Sequence, residues 1–443
     1  MSDDHSKPYV GCYGNQDIKT PNLDRLAGEG IKFTRAYTTA PQCVPSRASL
    51  MTGRSVLAVS MSRFTAPLQA DFLTYPELLK KAGYYTGICG RSFHLDGLYN
   101  VKESQEIFDK YKLQTFKKRV DYLQVNGEPD RVLNDFISFL NQVPATKPFF
   151  IQVGYNDPHR PYTTQGKQHV STNIKVPASM PNTPLVKEDL AKFYSEIEHL
   201  DGEIGRLLAE VKKRGLDKNT LIVFMGDNGA ALLRGKGTLY NTGLNVPLIM
   251  RYPIMIKPQQ TSEAMISGED IAPTFLDMAG VQIPKNMTGQ SMMPALKGNA
   301  YNGHEYVFAV RVAHGSALPT NTANFDLGRT VFTDKFKLIY NVLWQLPYSP
   351  VDFSGQSFWL ELERMHKEGK LETRLDKAFF AEHRSMFELY DLKADPDEFT
   401  NLSGKAAYMQ IENKLKGELH KWMILNHDYV PLPVTLPRNS AAN

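Results

Sequence analysis

Cys43 and Arg47 stand four residues apart in the stretch Cys43-Val44-Pro45-Ser46-Arg47-Ala48-Ser49-Leu50-Met51-Thr52-Gly53-Arg54. Pro45 suits the first turn of a short helix, where its missing N–H is no loss, and Gly53 suits the end. Cys43 then lies at the helix N-terminus, where unpaired N–H groups and the dipole favour an anion. Arg47, one turn further on the same face, offers a planar fork for a tetrahedral oxyanion. A small nucleophile, an arginine and a helix start together make a site for processing an anion. Four other clusters carry titratable or oxygen-donor groups: Asp3-Asp4, Arg91 with His94, His159 in Pro158-His159-Arg160-Pro161, and Asp227-Asn228 followed by Arg234-Gly235-Lys236-Gly237. Asp3, Asp4, Asp227 and Asn228 offer oxygen alone, which favours a hard divalent cation, calcium or magnesium, over zinc.

These clusters need elements that gather them. Thr20-Pro21 followed by Leu23, Leu26 and Ala27 reads as a capped helix, and 31–39 as a strand leading to the Cys43 loop. Thr74-Tyr75-Pro76-Glu77 opens a helix ended by Gly83, and 84–89 reads as a buried strand. Helices over 132–143 and 187–214, whose apolar residues keep a helical period, alternate with apolar strands at 149–155 and 220–225. Such alternation predicts a large, mostly parallel sheet sandwiched by helices. Asp3/Asp4, Arg91/His94, His159 and Asp227/Asn228 each lie just past the C-terminal end of an expected strand. In an open α/β sheet those ends share one edge, where ligands bind. The texture changes after residue 327: 329–342 alternates as a strand pair does, an aromatic stretch follows from Trp344 to Trp359, and a helix is expected around 409–423. The division expected is a catalytic domain over 1–327 and a smaller α+β subdomain over 328–443.

The 443 residues can bury a large core, and 42% apolar with 22% charged residues is ordinary for a globular enzyme. A net charge of +4, with no basic run interleaved with aromatics, argues against nucleic acid as a partner. Three cysteines, Cys12, Cys43 and Cys89, make no disulfide framework. No apolar stretch approaches the roughly 18 residues needed to span a membrane.

The Cys43 stretch resembles the signature of type I sulfatases, Cys-x-Pro-Ser-Arg with a Thr-Gly-Arg ending. The resemblance implies an alkaline-phosphatase-like fold and an oxidation of Cys43 to formylglycine by a formylglycine-generating enzyme. It implies that Asp3, Asp4, Asp227 and Asn228, with the oxygen made from Cys43, bind calcium (magnesium being the alternative). Lys236 matches a sulfate-binding lysine, His159 a histidine beside the leaving-group oxygen and hence the general acid, and His94 a histidine that assists the second hydroxyl of the hydrate. Arg91 departs from the pattern, since Gly90-Arg91-Ser92-Phe93-His94 stands where the family has Gly-Lys-x-His or Gly-Lys-x-x-His; it keeps the capacity to bind an oxyanion.

Met1-Ser2-Asp3-Asp4-His5-Ser6 resembles the end of the family's first strand with the strand cut away, so a truncated start is expected, and export of the whole protein is implied. The segments 176–184, 329–350 and 384–402 look most like the heparan N-sulfatase branch, which points to a sulfated saccharide with the bond cleaved, N–S or O–S, left open. Arg311, His314 and the aromatic stretch near Trp344 are candidates for a sugar subsite. Two other readings stand beside this one: a phosphonate monoester or phosphodiester hydrolase of the same superfamily, and a sugar-binding pseudo-sulfatase without catalysis.

Overall fold

Apolar residues in the central strands point alternately to two buried faces. On Leu248–Arg251, Leu248 and Met250 meet one core while Ile249 meets another, and Met225 and Phe224 divide in the same way. A strand buried on both faces needs helices on both sides. This computed structural model describes every residue except 62–66, 92, 98–101, 126–128, 164–168, 170, 313, 315–325 and 429–443. The strands among the described residues are β1 (Ile31–Tyr37), β2 (Tyr85–Gly90), β3 (Tyr122–Gln124), β4 (Phe149–Gly154), β5 (Ile222–Met225), β6 (Leu248–Arg251), β7 (Gln260–Ser267), β8 (Val307–Arg311), β9 (Gly328–Phe332), β10 (Phe336–Asn341) and β11 (Phe387–Asp391).

Strands β3-β2-β4 form a parallel set, and β5-β6-β1-β7 a mixed one in which β6 runs against both neighbours while β1 and β7 are parallel. Residues 1–3 join the two sets. The amino group of Met1 donates to the Val153 carbonyl (2.8 Å) and Tyr155 N–H to the Met1 carbonyl (3.0 Å). On the other side Ser2 N–H reaches the Met225 carbonyl (3.1 Å) and Asp227 N–H the Ser2 carbonyl (3.2 Å), with Ser2 bridging Gly226 in parallel. The order is therefore β3-β2-β4-(1–3)-β5-β6-β1-β7, and every member but β6 runs the same way. The expected mostly parallel sheet is present, and the C-terminal ends of its strands share one edge.

One face of this sheet is covered by α1 (Pro21–Gly28) and the long helix Pro184–Lys213, through Leu23, Leu26, Leu200 and Ile204. The other face carries α2 (Cys43–Thr52), α3 (Tyr75–Lys81) and the helix Ile271–Met278, through Val44, Ala48, Leu79, Ala272 and Leu276. All ten residues of α2 are buried, because the sheet holds it on one side and the helix Ile271–Met278 on the other. Gly53 ends α2 in the left-handed region (φ 63°), donating its N–H to the Ser49 carbonyl at 2.9 Å.

A second sheet, β11-β10-β9-β8, is antiparallel, and its strands come from both sides of residue 327. The helix Met409–Leu425 packs Leu415, Leu419 and Met423 on its outer face against Val331, Leu338 and Leu389. Its inner face places Phe332, Ile339 and Tyr390 against Tyr37, Leu239 and Leu244 of the main body. No helix of the described residues is long and apolar enough to cross a membrane.

Candidate active site

Each element ends where its functional residue begins. The segment 1–3 leads to Asp3 and Asp4, β2 to Arg91, β4 to the loop containing His159, β5 to Asp227 and Asn228, and β1 to the turn before Cys43. Parallel direction puts all of these at one edge, and side chains more than 200 residues apart in sequence meet there. The Cys43 thiol lies 3.4 Å from Asp3 Oδ1 and 3.9 Å from Asp4 Oδ1. Asp3, Asp4, Cys43 and His159 each present a ligand atom within 4.8 Å of the others.

Arg47 holds this floor together. Its Nε donates to Asp227 Oδ2 (2.9 Å), its Nη2 to Asp3 Oδ2 (3.2 Å) and its Nη1 to the Arg91 carbonyl (2.7 Å). Ser46, one residue before it, donates to the Asp227 carbonyl at 2.5 Å. Arg91 pairs through Nε with Asp3 and donates Nη1 to Asn156 Oδ1 at 3.2 Å. Lys236 Nζ lies 2.9 Å from Asp4 Oδ2 and 2.6 Å from Asp352 Oδ2. Asp227 is held by three donors: its Oδ1 accepts from the Asp4 and Asn228 amides (3.0 and 2.7 Å) and its Oδ2 from Arg47. His94 lies in the single turn Phe93–Asp96, and its side chain is outside the described residues.

A divalent cation fits what is present. Asn228 Nδ2 donates to Asp4 Oδ1 (2.8 Å) and to the Gly229 carbonyl (2.9 Å), while its Oδ1 is buried with no partner among the described residues. A buried carbonyl oxygen left unpaired is costly unless a cation takes it. Four carboxylates, Asp3, Asp4, Asp227 and Asp352, face three permanent cations, Arg47, Arg91 and Lys236. A dication would reverse the leftover negative charge and make the site attractive to an anion. The donor set is oxygen-rich, as hard cations require.

The electrostatics divide the carboxylates. Burial alone would raise Asp3, but Arg91, His159, Arg47 and Lys236 outweigh it and hold the carboxyl well below the usual range. Asp4 and Asp227 go the other way, each raised to about 6, chiefly by burial and with Asp3 adding to both. Burial, then Asp3, raises the Cys43 thiol well above its ordinary value, so residue 43 is a protonated thiol rather than a thiolate. Asp4 and Asp352 outweigh the burial of Lys236 and keep its ammonium charged. His159 is lowered to about 4, first by burial and then by Lys236, so its ring is neutral at neutral pH. Its Nδ1 pairs with the Arg160 carbonyl, which makes Nδ1 the N–H and leaves Nε2 facing Asp4 (3.6 Å) and Asp352 (3.7 Å).

Asp352 is the residue that sequence reasoning missed. It sits in the aromatic stretch 344–359 between apolar neighbours, and nothing local distinguishes it from a turn aspartate. His314 Nε2 lies 3.2 Å from its Oδ1, so this candidate sugar-subsite residue does stand beside the cluster. Arg311 does not open to solvent: it is buried, donates to the Gly237 carbonyl and pairs with Asp326 at 3.2 Å. Trp344 meets His383, at 6.2 Å between ring centres.

Residues 1–281 match the family model described as Sulfatase, and residues 232–344 match the one described as N-sulphoglucosamine sulphohydrolase, C-terminal. The chain is 28% identical to the human N-sulphoglucosamine sulphohydrolase, over 94% of this chain and 88% of that protein. It is also 28% identical to an ulvan-active sulfatase of Formosa agariphila, over 99% of this chain and 83% of that protein. Among solved structures it is similar to BT4656 in complex with its substrate D-glucosamine-2-N,6-O-disulfate, with a TM-score of 0.72 at 23% identity, covering 97% of this chain and 98% of that one.

Proposed function

This chain belongs to the sulfatase family, the hydrolases of sulfuric esters, and from that premise we propose that it removes a sulfate or sulfamate group from a sulfated saccharide. The observation that carries the reading is the meeting of Cys43 with Asp3 and Asp4 between Arg47 and Lys236. Relatives named for N-sulphoglucosamine and for ulvan both support a saccharide, and they leave N–S and O–S cleavage equally open.

Residue 43 oxidised to formylglycine would supply an oxygen nucleophile, and a cation, calcium by preference, held by Asp3, Asp4, Asn228 and Asp227 would polarise the sulfuryl oxygens. The protonated thiol supports this division, since an unmodified Cys43 among carboxylates is a poor nucleophile. Lys236 and Arg91 would take the sulfuryl oxygens, giving the spreading negative charge fixed donors at the moment of transfer. Arg47 keeps Asp3 and Asp227 in place. His159 Nε2, which faces the mouth, gives its proton to the departing oxygen or nitrogen. With Nδ1–H held by the Arg160 carbonyl, this role needs the ring protonated at Nε2 as well, a form favoured by the carboxylates of Asp4 (3.6 Å) and Asp352 (3.7 Å) and by the sulfuryl anion. His94 retains its proposed role on the second hydroxyl of the hydrate. Maturation by a formylglycine-generating enzyme and residence in an exported compartment belong to the same proposal.

Turnover of N-sulfoglucosamine, glucosamine 6-sulfate and an aryl phosphonate by the matured enzyme tests it. Strong phosphonate cleavage beside negligible sulfate cleavage would move the assignment to the phosphonate hydrolases. Mass spectrometry of the Cys43 peptide, which oxidation to formylglycine makes about 18 Da lighter, separates the enzyme from an inactive binding protein.

A further inference from the structure

Asp352 is held where it is from both sides. Val351 is buried against Gly237, where an added Cβ would overlap the Val351 side chain, and Gly237 adjoins Lys236. Phe353 is buried against Phe358 and Trp359, at 5.5 and 5.8 Å between ring centres. The Asp352 backbone itself is left-handed, φ 65°, which costs an ordinary L-residue about 1 kcal/mol or more and aspartate less. Its oxygens are aimed by Lys236 at 2.6 Å and His314 at 3.2 Å.

Exposure separates Asp352 from the other carboxylates. Its side chain is 28% exposed, whereas those of Asp3, Asp4 and Asp227 are fully buried and that of Lys236 is 1% exposed. The floor of the site is therefore closed, and the mouth is bordered by Asp352 and His159, 3.7 Å apart. A group leaving a sulfuryl centre seated over Cys43 departs through that mouth. On that path the leaving atom would pass His159, and the substituent nearest to it on the sugar would meet Asp352. A carboxylate there accepts a hydrogen bond from a hydroxyl or ammonium and repels a second sulfate or a carboxylate.

The geometry points to Asp352 as a specificity-determining residue on the leaving-group side. It selects sugars that carry a hydrogen-bond donor next to the sulfated position and rejects those that carry an anion there. This inference rests on the saccharide sulfatase reading above. A purely structural Asp352, one that only aligns Lys236 and His314, would slow every substrate alike.

A cycle of enzyme and substrate changes distinguishes the two. The parent and Asp352→Ala are assayed on the methyl glycosides of N-sulfoglucosamine and its 3-deoxy analogue, and of glucosamine 6-sulfate and its 4-deoxy analogue. In the parent, loss of the neighbouring hydroxyl should lower kcat/KM about tenfold to a hundredfold, as for a hydrogen bond to a charged group. In Asp352→Ala that ratio should fall to about twofold or less. The same ratio in both enzymes, or no penalty in the parent, overturns the inference. Should the variant not fold, the parent alone decides. A second sulfate on that hydroxyl should cut its kcat/KM at least about tenfold, and equal turnover overturns the assignment. Failure of the parent to hydrolyse any sulfated sugar would instead defeat the underlying saccharide reading, and Asp352's role with it.

Discussion

Cys43 is a small thiol enclosed by carboxylates at the start of a fully buried helix, and that setting decides what its removal does. Cys43→Ala takes away the nucleophile and little volume, so kcat should fall by about a thousandfold or more while the melting midpoint stays near that of the parent. Residual turnover close to the parent's would mean that the nucleophile is another residue. Cation binding should be coupled to protons through Asp4 and Asp227, both raised to about 6. A cation takes the deprotonated carboxylates, so below about pH 6 binding must expel their protons and affinity weakens as pH falls through that value. Calorimetry in buffers of different ionisation heat should show proton release near pH 5.5 and almost none near pH 8. Buffer-independent heats at about pH 5.5 would remove these two groups from the ligand set.

At the scale of elements, α2 is fixed by its end and by what lies behind it. Gly53 has φ 63°, and a Cβ there would stand 3.0 Å from the Ala272 Cβ and the Met287 sulfur. Gly53→Ala meets both the left-handed penalty and this contact, so it should destabilise the fold by about 1–3 kcal/mol, read as a lowered denaturation midpoint. A change within error of zero would show that the turn relaxes freely.

Behind α2, Glu269 is buried and accepts the Thr288 hydroxyl; burial first, then Asp270, raises it to about 7. Its folded value lies above its unfolded one, so the stability it contributes is fully present below about pH 4.5 and is lost as pH rises through about 7. The neutral Glu269→Gln should therefore match the parent near pH 4 and exceed it near pH 8 by on the order of 2–3 kcal/mol. Parallel stability curves for the two proteins across that range would refute the ionisation.

At the scale of the whole molecule, the second sheet is locked by a buried fork to the segment that follows the helix Met409–Leu425: Arg329 Nε and Nη2 donate to Asp428 at 2.8 and 3.0 Å, with side chains 1% and 2% exposed. Asp428→Ala leaves the guanidinium buried without its carboxylate and should cost about 3–5 kcal/mol in chemical denaturation. A midpoint equal to the parent's would show that water or a rearranged chain replaces the pair. The same sheet also delivers function, since β8 leads to His314, beside Asp352, and its inner face packs against Leu239, which follows the Lys236 loop.

The amino-acid sequence alone determined the parts whose signal is local. The Cys43–Arg54 spacing, the Asp-Asn step after an apolar strand and the helical period of 187–214 are each written within a few turns of chain, where backbone geometry follows from residue type. Parallel alternation then put Asp3, Arg91, His159 and Asp227 at one edge, because strands that run the same way must end together. Tertiary structure alone decided the direction of β6 and the joining of two strand sets by residues 1–3, which depend on hydrogen bonds between distant segments. It alone decided that Arg311 is buried beside Gly237 and Asp326, and that Asp352 stands at the mouth. Such placements arise from contacts such as Val351 on Gly237, more than 100 residues apart, and sequence spacing over that distance carries no geometric constraint.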